Sequence, residues 1–447
     1  MVLITFAGQA LPKAYHAAAV IVNDRMKQRS PPLLPSGSDS PPHPLDIARC
    51  VPSEEGITSR AAKSLLEALC SLRSREAADA TDKAKGGLRV RLTRFYTAEA
   101  HLARRFERVG RRLGVRGEAP EEVCAWQNEL RAVVARCLGM ETFERCPPRI
   151  EARGRERLDD HVREDLVLET EPDVWMPFYL LLPPDRSASR PAVLAPHGHG
   201  SAGKYPVAGR RDIPAVARKI EESNYDYGVQ FVRRGFVVFC PDARGHGERR
   251  EETRELDENS HEFLASTCHQ LSLKGEPLGQ AVAGMWTWDL MRLLDYAQTR
   301  PEVDPGRIGC AGLSGGGLQT LFLAALDERV RAAVVSGYFY GVKESLLEQA
   351  GNCDCNIVPG LWLYADMGDI GGLVAPRGLF IETGDADPLN GRSGLDNVYP
   401  QVERSRRAFT ALGAAGQVEH HVFQGPHRWD GTRAIPWLEA QLGPKQG

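Results

Sequence analysis

A serine in a glycine-rich turn is the strongest candidate for chemistry in this chain. Ser314 lies in Gly312-Leu313-Ser314-Gly315-Gly316, which fits the pattern G-x-S-x-G. An apolar run ends near Ala311 and a helical run begins at Leu318, so the serine is predicted to lie between a strand and a helix. Such a turn holds the hydroxyl at a helix N-terminus, where developing negative charge is favoured. Ser314 is therefore predicted to be a nucleophile; a glycine-rich turn with an idle serine is the alternative.

Serine needs a general base, and the base needs an acid to orient it. The predicted strand from Gly378 to Glu382 is followed by two carboxylates, Asp385 and Asp387. We prefer Asp387, because the turn at Gly384 needs room before the acid can point back toward the base. An aspartate that bonds its own backbone in the turn is the alternative for either residue.

A histidine just beyond the last predicted strand supplies the candidate base. His427 follows the strand from Val418 to Phe423 in the sequence Gln424-Gly425-Pro426-His427. His420 and His421 lie inside that strand and are predicted to be structural, on opposite sides of the sheet. The chain order serine, acid, histidine then gives the triad Ser314, Asp387 and His427.

The oxyanion formed during acyl transfer needs two hydrogen-bond donors. The backbone N–H of Gly315 is one candidate. The second is expected in the loop after the strand from Ala192 to Ala195, at His199 with Gly198 as the close alternative. The pair His197 and His199 could also suggest a metal, but no third ligand is evident in the sequence. No metal and no cofactor are therefore expected.

Alternating short apolar runs and helical stretches must position these residues. Runs of this kind predict buried parallel strands in a doubly wound α/β sheet. We predict three regions: an irregular, mobile tail over 1–55, rich in Pro and Ser, a helical region over 56–145, and a catalytic domain over 146–447. The strands of the last region are predicted near 166–170, 178–182, 192–195, 236–240, 308–311, 332–335, 378–382 and 418–423.

Composition narrows the possible partners. The net charge of −3 gives no field that favours nucleic acid, and no apolar run is long enough to span a membrane. The N-terminus lacks the basic start of a secretory signal, so we expect a cytoplasmic protein. The ten cysteines show no framework spacing and are expected to be reduced and mostly buried. A homo-oligomer that forms through the N-terminal helices is the hypothesis for self-association.

From about Trp126 onward the sequence resembles bacterial α/β hydrolases grouped with acetyl xylan esterase-like and dienelactone hydrolase-like proteins. The segments that carry the resemblance are Pro196–Gly200, Pro241–Glu248, Arg300–Asp304, Gly312–Gly317, Cys353–Asn356 with Pro359-Gly360, and Ala375–Arg377 with Gly384–Pro388. The resemblance implies the α/β-hydrolase fold and a carboxylic-ester hydrolase with Ser314, Asp387 and His427 in the triad positions. Dienelactone hydrolases use cysteine where this chain has serine, so that narrow activity is not expected.

The sequence thus predicts a serine esterase that acts on a small-molecule ester. Two alternatives stay open, because the fold alone does not decide the reaction. One is hydrolysis of amide, peptide or carbon–carbon bonds by the same triad. The other is a non-catalytic binding protein that kept the hydrolase fold.

Overall fold

One nine-stranded sheet organises the part of the chain that the structure describes. The computed structural model describes residues 95–185, 188–349 and 352–443. The strands are β1 (Ile150–Arg157), β2 (Val162–Glu171), β3 (Val174–Leu182), β4 (Arg190–Leu194), β5 (Val237–Pro241), β6 (Val303–Leu313), β7 (Val330–Ser336), β8 (Gly378–Gly384) and β9 (Val418–Phe423). Their order across the sheet is β1-β2-β3-β5-β4-β6-β7-β8-β9. The contacts from β5 through β9 are parallel, and those from β1 through β3 to β5 are antiparallel.

The parallel strands are apolar because both faces of the sheet are covered. In β5, Val237 and Phe239 belong to one hydrophobic core, whereas Val238 and Cys240 belong to the other. This alternation follows from the two-residue period of a strand. All seven residues of β8 are buried in the same way. The sheet is therefore held between two apolar layers.

Helices supply those layers. In the described residues they are α1 (Glu99–Val109), α2 (Pro120–Leu138), α3 (Pro214–Ser223), α4 (Tyr227–Arg233), α5 (His261–Leu264), α6 (Cys268–Gly275), α7 (Val282–Ala297), α8 (Gly315–Leu326), α9 (Met367–Gly372), α10 (Tyr399–Ala411) and α11 (Ala434–Leu442). None of them combines the length and apolar character needed to cross a bilayer.

Helix α2 packs directly into the core of the sheet. Val123, Trp126 and Leu130 are buried in the same cluster as residues of β4 and β5. The helix ends at Gly139, whose φ of 79° is the left-handed conformation that glycine adopts most easily. These buried contacts of α2 attach the segment before residue 146 to the sheet.

The predicted α/β fold with a mostly parallel, doubly wound sheet is confirmed. Strand β1 is the element that the sequence analysis missed, because its residues are largely exposed and charged and show no apolar run. The predicted tail over 1–55 and the helices before residue 95 lie outside the described residues. The proposed domain boundaries stay predictions.

The strand order places a crevice at the carboxyl end of β4. The chain leaves β4 and returns on one side as β5, then crosses to the other side as β6. Open α/β sheets bind ligands where the strand order reverses in this way. The loops after β4 and β6 carry His199 and Ser314, so both residues are brought to this crevice.

Candidate active site

Ser314 occupies a strained turn between β6 and α8. Its φ of 60° and ψ of −121° lie outside the regions that non-glycine residues normally adopt. Its N–H donates to the carbonyl oxygen of Ser336 at 2.8 Å, which fixes the turn to the end of β7. A backbone held in such a conformation is typical of functional sites.

The glycines around Ser314 are needed because neighbouring backbone passes very close. A Cβ at Gly312 would lie 2.5 Å from the carbonyl carbon of Gly316. A Cβ at Gly316 would lie 2.2 Å from the carbonyl oxygen of Pro196, in the loop after β4. Contacts below 3.0 Å cannot be accommodated by rigid backbone, so the motif is required for the turn to close against that loop.

The structure pairs His427 with Asp387. The Nδ1 atom of His427 lies 2.7 Å from Oδ2 of Asp387, whose side chain is 1% exposed. The other oxygen, Oδ1, accepts the N–H of Leu389 at 2.8 Å. Asp385 is exposed and accepts the N–H of Gly425 instead. A neutral His427 that donates from Nδ1 keeps its lone pair on Nε2, which is the arrangement of a general base.

His427 and Ser314 line the same cavity, which has a volume of about 620 Å³. The ring of His427 packs closely against Gly337. A Cβ at that position would lie only 2.9 Å from the Cε1 atom of His427. Gly337 directly follows Ser336, whose carbonyl binds the backbone of Ser314. The serine and the histidine therefore share one support at the end of β7.

The loop after β4 carries the second candidate oxyanion donor. The N–H of Gly198 already donates to the hydroxyl of Tyr225 at 2.8 Å, which leaves the amide of His199 as the candidate from this loop. The imidazole of His199 lies against Gly315, where a Cβ would be 2.7 Å from its Cε1. Gly315 is the first residue of α8, so its N–H has no acceptor within that helix.

Burial keeps His197 neutral in this loop. Desolvation lowers the pKa of His197 to about 4. Its Nε2 accepts the N–H of Ala243 at 3.0 Å, and its Nδ1 lies 2.8 Å from the carbonyl oxygen of Gly198. The ring therefore holds the loop after β4 against the loop after β5, and it is not available as a base.

Buried ion pairs hold the loop after β5 in place. The guanidinium of Arg244 donates twice to Asp289, at 3.0 and 2.9 Å, and once to Glu171 at 2.6 Å. Although burial would raise the pKa of Asp289, the charges of Arg244 and Arg249 hold it at about 2. The carboxylate therefore stays ionised and paired.

The two histidines of β9 have partners other than Asp387. His420 contacts Thr383 at 3.1 Å, and burial lowers the pKa of His420 to about 4. His421 lies 3.5 Å from Asp430. Neither histidine bonds Asp387, which agrees with their predicted structural place in β9.

A buried glutamate connects the two halves of the site. Glu382 accepts hydrogen bonds from the hydroxyl of Ser336 at 2.8 Å and from the N–H groups of Asp430 and Gly431, both at 2.9 Å. It therefore links the support of Ser314 to the loop that carries His427. Its burial raises the pKa of Glu382 to about 7, despite these hydrogen bonds.

Sulfur and imidazole side chains gather at one wall of the cavity, which the sequence analysis did not anticipate. The side chains are His199, His246, Cys268, Cys353 and Cys355. They come from four separate segments, three loops and the start of α6, so only the three-dimensional fold brings them together. The available signal was the occurrence of His-x-His and Cys-x-Cys segments in the same chain. This set is referred to below as the cysteine–histidine cluster.

The turn around Ser314, at the carboxyl edge of a mostly parallel sheet, defines the class of protein as an α/β hydrolase. Comparison of the sequence with known families agrees, since the profile described as the Abhydrolase family matches residues 115–427. The chain therefore belongs to this α/β-hydrolase family, and the resemblance read from its motifs is confirmed.

Individual relatives extend over most of the same region. A Bacillus subtilis (strain 168) protein named as a hydrolase, YtaP, is 29% identical over 282 residues, or 61% of this chain and 86% of its own. A solved structure from Bacteroides fragilis, named as an acetyl xylan esterase, covers 79% of this chain and 97% of its own at 19% identity and a TM-score of 0.64. A glucuronoyl esterase from Solibacter usitatus covers 71% and 92% at 16% identity and a TM-score of 0.52. The two structures share the fold of this chain.

Proposed function

We propose that the protein is a serine esterase that hydrolyses carboxylic esters through an acyl-enzyme on Ser314. The observation that carries this proposal is the strained serine turn in the same cavity as the buried His427–Asp387 pair. An idle serine would not need the backbone strain of this turn. A structural histidine would not need a carboxyl partner whose side chain is only 1% exposed.

In this mechanism Ser314 attacks the ester carbonyl while Nε2 of His427 takes the hydroxyl proton. Asp387 holds the imidazole with its hydrogen on Nδ1 and stabilises the imidazolium that forms. The amides of Gly315 and His199 donate to the oxyanion. His427 then returns the proton to the leaving alcohol, and water repeats the sequence on the acyl-enzyme to release the acid.

The names of the structural relatives favour esters over other substrates. An acetyl xylan esterase and a glucuronoyl esterase share this fold. We extend the proposal to small esters, with esters of carbohydrates as the first class to try. Tyr338 and Tyr340 line the cavity and offer aromatic surface to such a ligand. Trp362 and Tyr364 do not border this cavity.

The cytoplasm is the proposed compartment. The cysteines of the described residues are all free thiols, and they include the exposed Cys124. Free thiols persist in reducing compartments.

Labelling with a fluorophosphonate probe tests the nucleophile first. Wild-type protein should react at Ser314, as located by peptide mapping, and Ser314→Ala should not react. Ser266→Ala is the matched control, because Ser266 lines the same cavity and has no role in the proposed mechanism. It should label like the wild type.

An ester panel then tests the reaction. Acetyl and methyl esters of sugars and short-chain p-nitrophenyl esters should be hydrolysed faster than the matching anilides. Faster cleavage of the anilides would overturn the ester proposal in favour of an amidase. Well-folded wild type that fails to label would overturn the nucleophile assignment and leave the non-catalytic binding protein.

A further inference from the structure

The cysteine–histidine cluster has the size and the composition of a metal site. The ligand atoms of His199, Cys353 and Cys355 all lie within 4.8 Å of one another, and so do those of His199, His246 and Cys268. The Sγ atom of Cys355 lies 3.1 Å from Nε2 of His199. Cys268 belongs to the second of these groups. His199 is common to both groups.

The 3.1 Å contact and the 4.8 Å upper limit bracket the separations expected around a bound zinc ion. Zinc–sulfur bonds of about 2.3 Å and zinc–nitrogen bonds of about 2.0 Å in a tetrahedron place the ligand atoms roughly 3.5–3.8 Å apart. Thiolates combined with imidazole favour zinc over hard cations such as magnesium. Cys268 and Cys355 are almost completely buried, at 1% and 0% exposure, so solvent would not compete for them.

Ordinary packing is a poorer explanation of the cluster. Single buried cysteines pack as small apolar residues. Here the side chains arrive from the loops after β4, β5 and β7 and from the first residue of α6, and their polar atoms point at each other. His246 is 1% exposed, and its Nε2 atom has no hydrogen-bond partner among the described residues.

We propose that His199, Cys268, Cys353 and Cys355 bind one zinc-like divalent cation in the wall of the catalytic cavity. The three cysteines bind as thiolates and release their protons to solvent, while His199 binds through the lone pair of Nε2. No electron is transferred. Four protein ligands leave no open position, so the ion is structural. His246 packs beside it, with its Nδ1 atom 3.9 Å from Cys268.

The ion would stabilise loops that line the cavity, although none of its ligands belongs to the proposed triad. The ring of His199 has its Nε2 atom toward Cys355 and its Cε1–Nδ1 edge against Gly315. Metal ligation would therefore hold the loop that carries the proposed oxyanion amide of His199. It would also tie Cys353 and Cys268, both of which line the cavity, to that loop. These residues are positioning residues for the reaction.

Metal content of the full chain tests the proposal. The protein is purified without a metal-affinity tag or a chelator and analysed by inductively coupled plasma mass spectrometry. About one zinc per chain is expected, as for a structural site of this type. Cys353→Ser should lower the zinc content at least about tenfold. Cys124→Ser is the matched control, because Cys124 is exposed on α2, and it should keep its zinc.

Cobalt binding gives a second readout, which does not depend on whether metal stays bound during purification. Cobalt(II) added to chelator-stripped wild type and to Cys124→Ser should produce a thiolate-to-cobalt charge-transfer band in the near ultraviolet. Cys353→Ser should give a weaker band. If Cys353→Ser fails to fold by circular dichroism, the wild-type cobalt spectrum decides the question alone.

Three results would overturn the proposal. The first is wild type that contains no zinc and shows no thiolate–cobalt band. The second is a disulfide between any two of Cys268, Cys353 and Cys355, found by peptide mapping without reduction. The third is folded Cys353→Ser that binds zinc like the wild type. None of these readouts needs hydrolase activity, so they stand apart from the esterase proposal.

Discussion

Replacing Asp387 with asparagine should nearly abolish catalysis while leaving the fold intact. Oδ1 of Asp387 accepts the N–H of Leu389, and Oδ2 faces Nδ1 of His427. Asparagine must keep its oxygen toward Leu389, because a backbone N–H can only donate. Its NH₂ group then faces His427, so the imidazole must accept there and carry its hydrogen on Nε2. An Nε2–H group cannot take the proton of Ser314.

The expected loss follows from this wrong tautomer. Substitutions of this kind in serine triads lower kcat about ten-thousandfold, which corresponds to about 5 kcal/mol of transition-state stabilisation. The assay is the rate of hydrolysis of a short-chain p-nitrophenyl ester, measured over about two pH units around neutrality. KM should change little, because Asp387 is 1% exposed and does not face the substrate.

Asp385→Asn is the control for this experiment. Asp385 is exposed and bonds only the N–H of Gly425 among the hydrogen bonds that the structure shows for its side chain. The kcat of the Asp385→Asn variant should stay within about twofold of the wild-type value, as expected for surface substitutions. Equal losses in both variants, or an Asp387→Asn enzyme with more than a tenth of the wild-type kcat, would refute the assignment of the acid.

Three further perturbations follow from the packing and charges of the site. Gly315→Ala places a Cβ 2.7 Å from the ring of His199; displacing this donor loop should lower kcat about a hundredfold, with a small change in KM. Asp289→Ala leaves the buried Arg244 without its main partner and should lower the free energy of unfolding in urea by about 3–5 kcal/mol. Burial raises the pKa of Glu382 to about 7 in the folded protein, whereas its ordinary pKa of 4.5 applies in the unfolded chain. Its contribution to the free energy of unfolding should therefore fall by about 3 kcal/mol between about pH 4.5 and 7.

Each of these has an outcome that contradicts it. A Gly315→Ala enzyme with wild-type kcat would mean that the loop of His199 does not take part in the reaction. Asp289→Ala should be compared with Asp257→Ala, because Asp257 is exposed. Equal free energies of unfolding for the two variants would contradict the predicted stabilising role of the buried pair. For Glu382, urea unfolding at several pH values should give a flatter curve in Glu382→Gln; an unchanged curve would assign the pH dependence to other groups.

Local sequence rules predicted the parts of the site that each depend on one short segment. The strand, turn and helix around Ser314 could be predicted because period, glycine content and motif all agreed. His427 could be placed because it directly follows a strand whose end lies at the same edge of the sheet. The choice of Asp387 over Asp385 depended on where each side chain points after the turn, and two residues of spacing alone do not determine that direction.

Contacts between distant segments could not be predicted in this way. His199 and Cys355 lie in different loops, and the 3.1 Å contact between them depends on the path of several elements. The network of Glu382 with Ser336, Asp430 and Gly431 has the same origin. In the sequence alone, Glu382 cannot be distinguished from any other residue near the end of a strand, because its partners lie in distant segments.

The charged edge strand β1 has a consequence for how these molecules meet one another. Its Arg153 pairs with Asp165 of β2 and with Glu248, and its Glu156 pairs with Arg163. A strand from a second molecule that extended the sheet at this edge would have to lie beside the exposed, charged residues of β1. Charged edges of this kind resist aggregation through strand addition. At high concentration the charges on this edge therefore disfavour growth into larger sheets by strand addition.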